Sequence, residues 1–567
     1  MYPGPNVLDA FPTWQRFVPQ SSWVSGPLTA IARELGEART RAELDSCERE
    51  GRYPAEVAAR LDRLGFAALF DGGACTTTCH IQSLNAIAAQ ESGSLAVSLG
   101  ITGLALLPAY LAGTPEQLAR IATRVAAGAR AAMLLSEQAT GSNLAGTQTV
   151  AERDGDGYRL TGEKQLINLV RRADLWMTLA RTAPPAAGPL GATAGLSLFL
   201  VERGDGVELL PRISTLPVPA ADIGGARFRA ARVPAGALIG AEGDGFRIVQ
   251  AALTLSRGGI AAFASGTSSR AAGLAFAYAG ERAPFGEPIA RLDAIADHLV
   301  RMAALDLACA CIALKAAAAA NALGPRAGYH TAVAKLVACD LAERAVAEGR
   351  AVLGARALLT ELPYQQVVKD AILYGVFDGT RHVMLDHLVW RVRQMVRGGE
   401  EASTHIYDVA PAPLVEASRR RGRPWLPRPA AVAAELADGA VDAAPLAEGA
   451  RALESAAAAL PAEALAEQST GFAIAGAWAE LEAAIATCEL ADPARRARLG
   501  MPPAPPARLD DAELARHAVG ELAGGALASA RRVLAGWGVE LECAAAERAL
   551  ARMRADSGRR LRAALRE

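Results

Sequence analysis

The stretch most able to do chemistry is a loop, Leu135-Ser136-Glu137-Gln138-Ala139-Thr140-Gly141-Ser142-Asn143, which follows a short apolar run from Ala131 to Leu135. Gly141 opens backbone conformations closed to other residues and Ser142 adds a hydroxyl, so N–H groups and a side-chain donor can converge there on a phosphate. The same residues also suit an ordinary turn. Cys75, Cys79 and His80 come closest to a metal-ligand set, yet a zinc site usually draws on a second close pair and none follows. A small-residue loop or helix start accounts for them, and no metal is expected. Cys309 and Cys311 fall on opposite sides of a helix and read as packing.

The elements that must position these groups are mainly helical. The chain has 567 residues, 51% of them hydrophobic and only 5% aromatic, a balance that favours helices packed through small side chains. Helical spacing runs from Gly51 to Phe66 and an apolar, Ala-rich run from Ile81 to Leu99. Ala112-Gly113 stops a helix, and Thr114 then caps the next one with Pro115 at its first position. From about residue 131 short strands take over: Ala131–Leu135, Thr147–Ala151, Tyr158–Thr161 beyond an Asp154-Gly155-Asp156-Gly157 turn, Leu175–Arg181, Leu196–Glu202, Gly206–Leu210 and Gly225–Val233. Beyond them Ile295, Leu299, Met302, Leu305, Cys309 and Ile312 form one stripe, as do Val333, Leu336, Val337 and Leu341, the pattern of a four-helix bundle. A Pro/Arg-rich connector, Pro411 to Pro429, leads to further helices marked by Leu446, Leu453 and Leu460 and by Trp478, Leu481 and Ile485.

The expected fold class is therefore α+β, mainly α. It comprises an N-terminal helical domain (1–130), an antiparallel β domain (131–241), a helical bundle (242–398), and a linker with an additional helical domain (399–567). A net charge of −1 makes no electrostatic case for nucleic-acid binding. No apolar run is read as long enough to span a bilayer, and Met1 to Phe11 lacks a basic-then-apolar signal, so a cytoplasmic protein is expected. Arg559, Arg560, Arg562 and Arg566 flank Leu561 and Leu565 in a basic amphipathic end, suited to docking on the protein or, less readily, to a membrane surface.

Four more segments complete the pattern: Thr161-Gly162-Glu163-Lys164-Gln165-Leu166-Ile167-Asn168; Val233-Pro234 with Leu238-Ile239-Gly240; Tyr278-Ala279-Gly280-Glu281-Arg282-Ala283-Pro284-Phe285-Gly286; and Lys369-Asp370-Ala371 with Val376-Phe377-Asp378-Gly379-Thr380. With the loop at 135–143, their order and intervals resemble the acyl-CoA dehydrogenase family across about residues 50–398. The region beyond is similar in outline to the helical extension of very-long-chain-type members.

The resemblance implies FAD as cofactor and assigns roles by position. Leu135, Ser136, Gly141 and Ser142 would hold the flavin ring and pyrophosphate. Leu166 and Asn168 stand where the family places a Trp and a Thr beside flavin N5, so the aromatic wall is lost while a hydrogen-bonding side chain remains. Arg282 and Phe285 would reach a neighbouring subunit's FAD, which implies a homodimer or a homotetramer of dimers. Ala351, Ala355 and Ala357 depart from a Gln and a Gly-Gly-x-Gly turn around Gly354, and added Cβ atoms would limit close approach and positive φ there. Thr380 ends the motif. Asp378 occupies the place of the base that removes an α-proton, one methylene shorter than the family's Glu. A subset of the family carries its base just before the Arg matched by Arg257, but that position is Ser256. Arg257 would position the base or stabilise carbonyl-side charge; outside the family pattern Asp378 would be a turn cap and Arg257 a bundle ion pair.

Three activities fit this pattern. The first is an FAD-dependent dehydrogenase of acyl-CoA or acyl-carrier-protein thioesters, passing electrons to an electron-transfer flavoprotein. The second is an oxidase or monooxygenase on the same fold, of the nitroalkane-oxidase kind with an Asp base. The third is a non-catalytic binding subunit that has lost tight FAD.

Overall fold

A computed structural model describes residues 26–70, 78–187, 191–397, 428–493 and 509–566. Cys75 and most of the Pro411–Pro429 connector lie outside the described residues, as do the side chains of Cys79 and His80. The N-terminal helices are α1 (Gly26–Gly36), α2 (Ala38–Glu50), α3 (Ala55–Arg63), α4 (Thr78–Glu91), α5 (Gly93–Ala112) and α6 (Pro115–Ala126). The apolar run from Ile81 to Leu99 is two helices rather than one. Ser92 takes an extended conformation between them and its hydroxyl accepts from the Leu95 N–H at 3.1 Å, capping α5. Thr114 caps α6 through a reciprocal capping box with Gln117, and Pro115 occupies the first turn.

The sheet is built from β1 (Ala131–Leu134), β2 (Val150–Asp154), β3 (Gly157–Asn168), β4 (Leu175–Arg181), β5 (Leu196–Glu202), β6 (Val207–Leu210), β7 (Ile223–Pro234) and β8 (Leu238–Ile239). Its path runs β6-β7-β3-β2-β4-β5-β8, with β1 beside β4. Most pairs are antiparallel, but β1 runs parallel to β4, so the sheet is mixed where alternation suggested a wholly antiparallel one. Nothing in an apolar run such as Ala131 to Leu134, buried throughout, encodes the direction of its neighbour.

Four long helices follow: α7 (Gly245–Glu281), α8 (Asp293–Leu323), α9 (Gly328–Leu353) and, beyond the short α10 (Tyr364–Ala371), α11 (Arg381–Arg397). The stripe through Leu299, Met302, Leu305, Cys309 and Ile312 lies in the buried core. By length and hydropathy, α5 and the 293–320 part of α8 could cross a membrane, contrary to the expectation that no run is long enough. Both are instead core helices, with 61% and 83% of their most apolar windows buried inside the protein.

The C-terminal region comprises α12 (Pro429–Ala434), α13 (Ala444–Ala459), α14 (Ala462–Ala466), α15 (Gln468–Ala491), α16 (Asp511–Ala535) and α17 (Ala544–Arg566). It is fastened to the bundle by buried polar contacts. The Tyr329 hydroxyl on α9 donates to Glu482 at 2.8 Å and accepts from the Trp478 indole at 3.1 Å. The basic end docks on the protein: Arg562 pairs with Asp297 at 2.6 Å, Arg560 with Glu513 at 2.7 Å, and Arg566 with Asp293.

Candidate active site

The loop after β1 is held by a buried ion pair. Lys164 Nζ lies 2.7 Å from Glu137 Oε1, with 0% and 5% of their side chains exposed, and also donates to the Leu135 carbonyl at 3.1 Å. Glu137 accepts further bonds from the Gln148 and Thr149 N–H groups and the Thr149 hydroxyl. Burial pulls the Lys164 pKa down to about 8 against the attraction of Glu137. The carboxylate, with its cation and three further donors, sits below its ordinary value despite burial. Neither residue is marked for a role by its type or spacing in the sequence. Beyond the brace, Leu135 is buried while Gly141 and Ser142 are exposed.

Strand β3 changes register against β7 between Lys164 and Ile167. Within that irregularity Leu166 takes a φ of 57° and stands 65% exposed, a bulge re-aiming a side chain out of the sheet. Two residues on, Asn168 Nδ2 donates to the Val97 carbonyl of α5 at 2.9 Å. Its Oδ1 is buried without a hydrogen-bond partner among the described residues. An acceptor left this way, beside an exposed apolar residue and a loop whose Gly141, Ser142 and Asn143 are exposed, fits a flat ring that brings its own N–H.

Asp378 sits on the turn between α10 and α11 with a φ of 54°, followed by Gly379 at 92°. Asp is among the few side chains that tolerate the left-handed region, which gives a local reason for Asp rather than Glu at this turn. The carboxylate reaches Ser256 of α7, whose hydroxyl donates to Oδ2 at 2.5 Å. Its Oδ1 is enclosed and has no partner among the described residues. Arg257 and Lys335 are each 1% exposed, and both act on the Asp378 charge. Lys335 also donates to the Gly379 carbonyl, pinning the turn.

Burial pushes the Asp378 pKa above its ordinary value, while Lys335, Arg257 and the Ser256 hydroxyl pull it back. Burial likewise lowers the Lys335 pKa. Thr380 performs the capping, its Oγ1 accepting from the Val383 N–H at 3.4 Å, so Asp378 is not spent on the helix.

Arg282 and Phe285 are exposed, Phe285 by 81%. Gly354 is exposed too, with a φ of 58°. The Arg356 guanidinium lies 5.8 Å from the Tyr278 ring centroid, so the turn after α9 and the loop after α7 lie side by side. The alanines are accommodated without strain: residues 354–358 form a 3₁₀ turn in which only Gly354 needs positive φ. Ser256, Lys335, Glu137 and Lys164 complete the site, and none of the four is marked by a local sequence pattern.

Helices packed on one face of a mixed sheet, a braced loop at 135–143 and an enclosed carboxylate in the helical bundle together make a scaffold of the acyl-CoA dehydrogenase type. The family model described as "Acyl-CoA dehydrogenase, middle domain" matches residues 132–231, and "Acyl-CoA dehydrogenase, C-terminal domain" matches residues 243–392. Probable acyl-CoA dehydrogenase FadE25 of Mycobacterium tuberculosis is 29% identical over 367 residues, covering 63% of this chain and 92% of that one. An acyl-CoA dehydrogenase of Bacillus subtilis is 27% identical over 361 residues, 62% of this chain and 93% of its own. Butyryl-CoA dehydrogenase from Megasphaera elsdenii superposes with a TM-score of 0.60 at 25% identity, over 64% of this chain and 97% of that chain. An acyl-CoA dehydrogenase complexed with FAD from Bacillus anthracis superposes with a TM-score of 0.73 at 19% identity, over 99% of this chain and 98% of that chain, so the fold likeness includes the C-terminal helices.

The chain belongs to the acyl-CoA dehydrogenase family. It is an FAD-dependent oxidoreductase, which sets aside the reading as a non-catalytic binding subunit.

Proposed function

We propose that this protein is an acyl-thioester dehydrogenase in which Asp378 removes the α-proton of a saturated acyl thioester, carried on coenzyme A or an acyl carrier protein. The observation that carries this reading is the Asp378 carboxylate itself: Oδ2 anchored by Ser256, Oδ1 enclosed and without a partner among the described residues. A free oxygen beside a fixed one is what a proton acceptor needs, and burial makes that oxygen more basic. Arg257 and Lys335 favour the ionised carboxylate against the effect of burial, and Lys335 steadies its turn. FAD, when bound, supplies the acceptor for the β-hydride, so loss of the α-proton and of the hydride leaves an α,β-double bond. Leu135, Ser136, Gly141 and Ser142 would receive its ring and pyrophosphate, and Asn168 Oδ1 would accept from a ring N–H. Arg282, Phe285, Gly354 and Thr380 would complete the contacts, the exposed ones from a neighbouring subunit of a homodimer. An electron-transfer flavoprotein is the proposed acceptor.

The test is anaerobic titration of the FAD-reconstituted protein with saturated acyl-CoAs, followed by flavin absorbance. Bleaching that disappears in Asp378→Asn with FAD still bound is the expected result; bleaching that persists sinks Asp378 as the base.

One observation favours a second reading, an oxidase or monooxygenase. Leu166, in the place of an aromatic wall, is 65% exposed and offers little cover against oxygen.

A further inference from the structure

Around Asp378 the face of α7 continues from Ser256 through Gly259 and Phe263 to Thr267, at helical spacing. What meets that face is unusual for a site that would hold a hydrocarbon chain. Asn85 of α4 packs where Gly259 has no side chain, such that a Cβ there would stand 2.7 Å from Asn85 Nδ2. The same carboxamide lies against α5, where a Cβ on Gly100 would meet Asn85 Oδ1 at 2.9 Å and Phe263 Cζ at 2.7 Å. One turn earlier on α4, the Gln82 carboxamide fills the space left by Gly258. Gln82 and Asn85 are 1% and 4% exposed.

Neither polar atom of Gln82 has a hydrogen-bond partner among the described residues, and neither has Asn85 Oδ1. Buried carboxamide atoms left unpaired are costly and rare, so a place that keeps three of them suits a partner that can pair with them. Their position ties them to the reaction centre. Gly259 is one helical turn from Ser256, which holds Asp378; Gly100 is one turn from Val97, which holds Asn168. Asn85 thus packs one helical turn away from the contacts made by each of those two residues. One turn further along α7 Phe263 stacks on Tyr374 with ring centroids 5.9 Å apart, an aromatic pair that leaves little room for a long chain in that direction.

We propose that the acyl group taken by this enzyme is short and carries a neutral hydrogen-bonding group, a hydroxyl or carboxamide, which Asn85 and Gln82 bind. This rests on the reading of Asp378 as the base. Carboxamides both donate and accept, which suits an uncharged group that does the same.

The experiment compares isosteric thioesters on the FAD-reconstituted full-length protein, reading binding by perturbation of the flavin spectrum and turnover by bleaching. The pairs are 4-hydroxybutanoyl-CoA against pentanoyl-CoA, and 5-hydroxypentanoyl-CoA against hexanoyl-CoA. The hydroxylated member of at least one pair should bind about tenfold tighter, because an alkyl end leaves the carboxamides unpaired. Asn85→Leu should reduce that ratio to about one, and should raise the melting temperature by removing an unpaired polar group. Equal or weaker binding of both hydroxylated thioesters to the wild type overturns the proposal, and that comparison needs no variant to fold. A wild-type preference that survives in both Asn85→Leu and Gln82→Met also overturns it. In either case bleaching by the alkyl thioesters leaves the dehydrogenase reading intact. If no thioester perturbs or bleaches the flavin, that reading falls as well.

Discussion

Ser256 Oγ donates a 2.5 Å hydrogen bond to Asp378 Oδ2, joining residues 122 positions apart in the chain. In the proposed reaction the carboxylate must be ionised, so kcat/KM should rise with pH through the Asp378 pKa, which burial holds above the usual carboxylate value. Ser256→Ala removes a donor that favours the ionised form, and the acid limb should move upward by about one to two pH units. Well above that limb the variant should recover most of its rate. A limb that stays put would show that Ser256 does not hold the charged carboxylate.

Lys335 acts on the same group from α9, through its charge and through its bond to the Gly379 carbonyl. Lys335→Met should shift the acid limb in the same direction and also lower kcat at the pH optimum by on the order of tenfold or more, because the turn bearing the base loses its pin. Stopped-flow bleaching across pH separates the two effects. A change confined to KM would place Lys335 in substrate binding instead.

Lys164→Met leaves the Glu137 carboxylate buried without its cation. Breaking a buried pair in this way costs about 3–5 kcal/mol, and the loop from Leu135 to Asn143 should lose its grip on FAD. Thermal melts of the FAD-loaded and stripped protein would show the wild type gaining more from FAD than the variant does. Equal gains would separate the ion pair from the cofactor.

Asp370 gives a stability test independent of catalysis. It is buried, accepts from the Val218 N–H at 2.9 Å and from Gln366 at 2.7 Å, and its pKa is pushed up to about 7 by burial and the charge of Glu48, with Arg270 opposing. Between the usual carboxylate value and 7 the folded protein then binds more protons than the unfolded chain, so stability contributed by this group falls as pH rises across that window. The melting temperature should be higher at pH 5 than at pH 8 by this contribution. Asp370→Asn should flatten the difference and melt above the wild type at pH 8. An unchanged pH slope in the variant would assign the effect to other carboxyl groups.

Leu166→Trp should restore a wall beside the flavin. Reoxidation of the dithionite-reduced protein in air should slow, by stopped-flow absorbance, with little change in melting temperature. Reoxidation at the wild-type rate would remove exposure at Leu166 as an argument for oxygen chemistry.

How much of this was legible from sequence followed the range of the interaction involved. The Thr114–Gln117 cap and the turn before Gly157 depend on residues a few positions apart, and both were readable. The stripe from Ile295 to Ile312 was readable because burial on one face of a helix repeats along the chain. The break at Ser92 falls in the Gln90-Glu91-Ser92-Gly93-Ser94 interruption of that apolar run, but the cap and the contact with Glu48 that fix it there depend on the fold. Asp378 was found through its place in a motif, whereas Ser256 stood in the chain merely as a position without a carboxylate. That its hydroxyl meets Asp378 depends on how α7 crosses the turn after α10, which no local pattern records. Lys335 was hidden in an apolar stripe, and a buried lysine on such a face gives no sign of which carboxylate it serves.

Tyr329 and Lys335 lie on one helix, six positions apart; the first is gripped by Glu482 and Trp478 of the C-terminal region, the second touches the turn that bears Asp378. Less than two turns of one helix thus join the seat of that region to the charge beside the carboxylate. Butyryl-CoA dehydrogenase, matched over 64% of this chain and 97% of its own, does without a counterpart to most of that region. The two chain lengths are thus not interchangeable parts: grafting this α9 into a shorter relative would strand a tyrosine hydroxyl and a lysine-bearing lever with nothing to set its rest position.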